Sequence, residues 1–320
     1  MEYTTLGRTG LEVSVAGLGC GGNSRLGLGS GKSEAEAIAL VRAAWDLGVN
    51  IFDTAAVYGT EEVLGKALKG LPRERLVVAT KARFGRLTPQ EAVASLDKSL
   101  SLLGTDYIDV FQLHGVTPNA YEHAREVMAP ALLKERDKGK FRFLGITESS
   151  PHDPESRMIG QAVADGIWDT AMVGFHMLHQ NARRAVFPLT MKARVGTLLM
   201  FVVRNIFSQP ERLRSTVREL AASGQLPDWL GREENPLGFL VHEGGATSVT
   251  DAAYRFVRHE PGVDVVLFGT GEIAHLKSNI DSILSPPLPE ADRARLAELF
   301  GHLSGVGLDL PGFAGGPPRR

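Results

Sequence analysis

The chain has 320 residues, 43% of them hydrophobic and 22% charged, with 35 basic side chains against 37 acidic ones. A formal net charge of −2 offers no electrostatic grip on nucleic acid or an anionic membrane, and no apolar run approaches the roughly 18 residues that span a bilayer. The single cysteine, Cys20, leaves no internal disulfide, and the opening "MEYTTLGRTG" lacks the basic and apolar regions of a secretion signal, so a cytoplasmic protein is expected.

In chain order, residues 3–15 ("YTTLGRTGLEVSV") read as a hairpin turning at Arg8-Thr9-Gly10. Short apolar strand candidates then alternate with longer stretches of helical period. The strands fall at 15–20, 50–54, 75–81, 107–114, 141–147, 169–175, 195–201 and 263–269. Between the first two, Ser33 with Glu36 three residues later starts a helix that Gly48 stops. The stretch 88–104 repeats that grammar, with Thr88 as cap, Pro89 in the first turn, Glu91 and a final Gly104. Eight such units spread over the chain predict an α/β (β/α)8 TIM barrel with an N-terminal β-hairpin, one domain over residues 1–320. A doubly wound sheet is the competing architecture. Residues 204–246 read as an irregular inserted excursion after strand seven, and the Gly/Pro-rich tail "GVGLDLPGFAGGPPRR" as a loose end able to fold over a barrel mouth.

Two glycine patterns near the start mislead. Gly17, Gly19 and Gly22 stand in G-x-G-x-x-G register, but the chain continues as loop to Ser33, whereas a dinucleotide fold opens a helix at once. Gly31-Lys32-Ser33 resembles the end of a phosphate-cradling loop, but Leu26 stands where that motif needs glycine.

The informative residues lie at strand ends. Asp53 closes strand two, Lys81 strand three and His114 strand four, and Tyr58 follows strand two by a few residues. Singly, each has an ordinary explanation: a helix cap, a solvent-reaching lysine, a core histidine. In a parallel barrel, however, all of them face one mouth. There a lysine ammonium, anchored by Asp53, lowers the phenol pKa of Tyr58 from near 10 and lets it pass a proton to a carbonyl oxygen. His114 orients that oxygen, and a nicotinamide cofactor is the natural hydride carrier.

These residues, in "NIFDTAAVYG", "VVATK" and "DYIDVFQLHG", together with "LGRTGLEVSVAGLGCGG", "GKFRFLGITE" and "VVLFGTGEIAHLKSN", resemble the aldo-keto reductase superfamily over essentially the whole chain. The resemblance implies a barrel plugged at its bottom by the hairpin and NADPH-dependent reduction of aldehydes or ketones. It makes Tyr58 the acid/base, Lys81 and Asp53 its tuners and His114 the carbonyl orienter. It also implies cofactor contacts from Gly21, Gly22, Asp53, Thr147, Glu148, Phe201, Arg204, Gly269, Thr270, Gly271, Glu272, His275 and Asn279.

Several of these depart from the family pattern. Thr147-Glu148 replaces a Ser-Asn pair that holds the nicotinamide amide, Met172 stands where glutamine is common, and Phe201 with Arg204 replaces a Ser-Pro-Leu turn. Near Gly271, where NADPH-preferring members carry a basic residue, the chain has Glu272, with only His275 and Lys277 close in sequence. The cofactor expected is NADP(H), with NAD(H) as the alternative. Asn23, Phe84 and His176, with Tyr58 and His114, are the expected substrate wall. His176-x-x-His179 has metal-ligand spacing, but Lys81 sits badly beside a cation, so no metal is expected. The expected partner is a small carbonyl or alcohol, for a monomer or small homo-oligomer without nucleic-acid or membrane partners. The competing functions are a redox-neutral lyase, isomerase or epimerase retaining its nicotinamide, and a non-catalytic cofactor-binding regulatory subunit.

Overall fold

A computed structural model describes residues 1–309 except 84 and 86. Phe84 and the tail from residue 310 onward therefore lie outside the described residues. A two-stranded antiparallel hairpin, β1 (Tyr3–Thr5) and β2 (Glu12–Ser14), precedes a closed parallel barrel. Its strands are β3 (Ala16–Gly19), β4 (Ile51–Asp53), β5 (Val77–Arg83), β6 (Ile108–Val116), β7 (Phe141–Glu148), β8 (Thr170–Gly174), β9 (Gly196–Met200) and β10 (Val265–Phe268). They pair in sequence order, and β10 closes on β3.

The strands are near-continuous apolar runs because both faces are covered, by helices outside and by barrel filling inside. The interior filling at the bottom is a cluster of Ile51, Val77, Val110, Met172, Leu198 and Val265, capped by Leu6, Leu11 and Val13 of the hairpin. Met172 is thus core filling. The first long helix, Glu34–Asp46, opens on a reciprocal Ser33–Glu36 capping box, and Pro89–Leu103 opens on the equivalent Thr88–Glu91 box. Such caps satisfy otherwise orphaned N–H groups and contribute about 1 kcal/mol each. Gly104 ends the second helix in the left-handed region at φ 63°.

Three expectations need correction. Strand β5 continues two residues past Lys81 and β6 two past His114, because the ladder carries on through Ala82–Leu113 and Arg83–His114 before β6 shifts register against β7. The region 204–246 is not irregular throughout: it carries the helices Asn205–Ser208 and Pro210–Ala222. Leu213, Val217 and Ala221, four residues apart, give the second of these a buried face. Finally, the described start of the tail, up to Asp309, is held rather than loose, by contacts to the segments that follow β7, β8 and β9. The Gly305 N–H donates to His179 Nδ1, and Ser304 Oγ to the Pro154 carbonyl. Arg212 pairs with Asp309 at 2.7 Å, and Arg204 donates to the Asp309 carbonyl. Among the described residues, no helix is long and apolar enough to cross a membrane.

Candidate active site

Lys81 is fully buried on β5, and its Nζ donates to Asp53 Oδ2 at 2.6 Å and to the Thr54 carbonyl at 2.7 Å. Gln112 Nε2 donates to the other Asp53 oxygen at 3.3 Å. Burial pushes the Asp53 carboxyl up, while Lys81 and Gln112 hold it back. Burial works against the Lys81 charge too, but Asp53 and Tyr58 outweigh it and leave the ammonium above its ordinary value. Sequence reasoning missed Gln112. Its signal was available: a lone amide in an apolar strand, two residues before His114 and so on the same face.

Tyr58 stands on a short 3-10 turn, Ala56–Tyr58, closed by Gly59 at φ 67°. Its hydroxyl lies 3.3 Å from His114 Nε2, and the two rings meet edge to face with centroids 5.5 Å apart. Lys81 Nζ is 5.2 Å from the centroid of the phenol ring. Gly21 is obligatory here, since a Cβ at that position would come within 2.4 Å of Tyr58 Cε2. The expected drop in the phenol pKa is not what the geometry produces. Burial raises it, and Lys81, whose hydrogen bonds go to Asp53 and Thr54, only pulls it part of the way back. Burial, then the Lys81 and Arg83 charges, drive His114 down to about 3, so its imidazole is neutral.

The ends of β7 to β9 form the other wall. Thr147 Oγ1 accepts from the Gly115 N–H at 2.7 Å, which ties β7 to the residue after His114. Glu148 is 3% exposed, and its Oε1 accepts from Ser150 Oγ and from the Gly174 N–H, both at 2.7 Å. Its Oε2 is buried without a partner, and burial lifts the carboxyl to about 7. Phe201 takes a positive φ of 65° beyond β9, and the Arg204 guanidinium lies 5.0 Å from its ring centroid. His176 is fully buried with its ring edge to face on Phe207. His179 is buried beside it, and among the described residues no three His, Cys, Asp or Glu side chains group to hold a metal.

At the β10 end, Thr270 Oγ1 accepts from the Glu272 N–H at 3.0 Å, and Gly271 abuts Gly27 so closely that a Cβ would sit 2.6 Å from its Cα. This approach brings Lys32, a cation from a segment remote in sequence from Gly271, onto Glu272 at 2.7 Å. Only the fold brings the two together. Gly269 faces the same loop, with Ser24 Oγ 3.7 Å from where its Cβ would be. Asn279 is half-buried on the following helix, while His275 is exposed. Gly22 takes a left-handed turn at φ 69°, and Asn23 next to it is exposed. Cys20 is buried core.

The model of the aldo/keto reductase family matches residues 17–300. The chain belongs to that family. Aldo-keto reductase YhdN of Bacillus subtilis (strain 168) is 29% identical over 302 residues, 87% of each chain. L-galactose dehydrogenase of Arabidopsis thaliana is 40% identical over 157 residues, which is 46% of this chain and 48% of that one. Among solved structures, the holo form of aldo-keto reductase AKR11C1 from Bacillus halodurans superposes with a TM-score of 0.69 at 25% identity, covering 94% of this chain and 96% of that one. Members of the family are nicotinamide-dependent oxidoreductases, so the activity class follows from membership.

Neutral, buried histidines make this aldo/keto reductase acid-sensitive. His114 is held down to about 3, His179 to about 4, and His176 well below its usual value, all chiefly by burial. Below about pH 6.5 the unfolded chain takes up protons at these positions and the native state does not, so stability falls as pH falls. Each such proton is worth about 1.4 kcal/mol per pH unit. Glu148, raised to about 7, and Asp53, Asp264 and His242, also raised, bind their protons earlier when folded and offset part of this loss. The histidine contribution is read directly by NMR: the imidazole resonances of His114, His176 and His179 are expected not to titrate between about pH 7 and pH 5, where a free imidazole does. Titration of these resonances over that range would mean that burial does not hold them neutral.

Proposed function

We propose that this aldo/keto reductase interconverts a small carbonyl compound and its alcohol, with Tyr58 as general acid/base. The observation that supports this best is the Tyr58 hydroxyl, 3.3 Å from a neutral His114, beside the buried Lys81–Asp53 pair. When bound, a nicotinamide supplies or takes up the hydride at the carbonyl carbon. In reduction Tyr58 gives its proton to the carbonyl oxygen as that oxygen gains negative charge, and in oxidation it takes the proton back. His114, being neutral, positions the oxygen without competing for the proton. Lys81 stabilises the phenolate left behind, and Asp53 holds Lys81 in place.

The mouth suits a nicotinamide dinucleotide. Glu148 Oε2 is a buried acceptor with no partner of its own, and an amide N–H would satisfy it. Gly21 lets the Tyr58 ring, and Gly174 lets Ser150, Glu148 and Phe201, close tightly on the strand ends. Thr270, Gly271 and Lys32 offer donors and a cation at the far end, where barrel folds often bind phosphate in the loops after their last two strands. Lys32 supplies the positive partner for a 2′-phosphate that supports NADP(H). Glu272 competes for that lysine, which keeps NAD(H) as the alternative. The substrate wall is assigned to Asn23, Tyr58 and His114, while His176, fully buried against Phe207, packs behind it. Fluorescence titration with NADPH and NADH, followed by an aldehyde panel with the tighter one, tests the reading. Saturable binding and consumption of the reduced cofactor are expected; binding without turnover on any aldehyde or alcohol would sink it.

A redox-neutral reaction is the second reading, because Glu148 is a further proton-holding group in the same mouth. Cofactor that co-purifies stoichiometrically and shows no net absorbance change during turnover would favour it.

A further inference from the structure

Asp53, Tyr58, Lys81 and His114 occupy the ends of β4 to β6. A hydride donor has to lie beside the carbon whose oxygen they hold, against the strand ends that remain, and the ends of β7, β8 and β9 form one continuous wall there. Three residues converge there: a Cβ on Gly174 would come within 3.2 Å of both Glu148 Oε1 and Phe201 Cδ2. No β8 side chain stands between the carboxyl and the aromatic ring.

Glu148 is built into this wall. One oxygen is fixed by two donors, and the other is buried and empty-handed. An unpaired buried carboxylate oxygen is costly unless a ligand brings it a donor. A neutral amide would accept that donor equally well, so what a glutamate adds at this position is charge. Oxidised nicotinamide carries a positive ring and reduced nicotinamide a neutral one, and a fixed anion in a desolvated wall tells them apart.

We propose that Glu148 is a redox-state selector for the cofactor: its carboxylate favours the oxidised, cationic nicotinamide over the reduced form and so makes the bound couple a stronger reductant, biased toward carbonyl reduction. The proposal rests on the nicotinamide-dependent reading above. The groups around Glu148 leave it free to act in this way. Asp153, on the loop after β7, opposes its ionisation, and Ser150 and Ser156 favour it. Its register partner on β6 is the apolar Val116. From β8 it meets the Gly174 N–H, beyond which His176 is neutral. On the β9 side, across Gly174, stands Phe201, near which the Arg204 cation donates to the Asp309 carbonyl. With the carboxyl lifted to about 7, tight binding of the oxidised form requires the proton to leave. Affinity for the oxidised cofactor then rises with pH through neutrality, and affinity for the reduced cofactor stays level.

The test is fluorescence titration of oxidised and reduced dinucleotide against wild type and Glu148→Gln, at about pH 6 and about pH 8.5. Glutamine keeps an acceptor for Gly174 and Ser150. The ratio of oxidised-form Kd to reduced-form Kd is expected to rise about tenfold or more in the variant at the higher pH. Its pH dependence for the oxidised form should vanish. An unchanged ratio with unchanged pH dependence overturns the proposal. If Glu148→Gln does not fold, Ser150→Ala removes one donor from Oε1 and should move the binding midpoint to higher pH; an unmoved midpoint overturns the proposal equally. Failure of wild type to bind either form would instead overturn the nicotinamide reading itself.

Discussion

Tyr58→Phe is expected to lower turnover by roughly a hundred- to ten-thousand-fold while leaving dinucleotide affinity unchanged. The change removes one oxygen, the atom 3.3 Å from His114, and keeps the ring that packs against Gly21 and His114. Binding surfaces are therefore preserved and only the proton is lost, so the loss should appear in kcat. Stopped-flow measurement of the hydride step, alongside equilibrium titration, separates the two effects. Full turnover in Tyr58→Phe would mean that another group carries the proton. Glu148, a titratable group across the mouth raised to about 7, would be the first to examine.

Lys81→Met is expected to destabilise the fold by about 3–5 kcal/mol, because it leaves the Asp53 carboxylate buried without its counter-charge. Turnover should fall as well, since the phenolate of Tyr58 loses the cation that opposes its desolvation. The two effects can be pulled apart. Adding Asp53→Asn removes the stranded charge, so the double variant should recover much of the stability in urea denaturation and none of the turnover. If the double variant were as unstable as Lys81→Met, packing of the lysine stem rather than charge pairing would be what holds this part of the barrel.

The convergence of Asp53, Tyr58, Lys81 and His114 was legible because each of these residues is tied to a local signal. Asp53 ends an apolar run, Lys81 and His114 interrupt the last turns of strands, and a parallel barrel sends all strand ends to one side. The charge state of Tyr58 was not legible. A sequence shows that a lysine is near but not how much water is excluded, and in this mouth burial outweighs the lysine. The part of the mouth proposed to hold the cofactor was less legible still. Lys32 and Glu272 sit in segments far apart in the chain, and their meeting depends on the contact of two glycines, Gly27 and Gly271. The region after β9 misled for a different reason: its glycines, prolines and charges hid the four-residue spacing of Leu213, Val217 and Ala221.

By itself the sequence determined the alternation of strand and helix, the capping of the helices, and the identity of the residues facing the mouth. Those properties depend on short-range periodicity and on the chemistry of single side chains. Only the tertiary structure decided which charges are paired, which are stranded and which are neutral: Gln112 on Asp53, Lys32 on Glu272, and Glu148 with one oxygen held and one free. Desolvation and long-range pairing set those outcomes, and both depend on how strand ends and loops from distant parts of the chain close around one another.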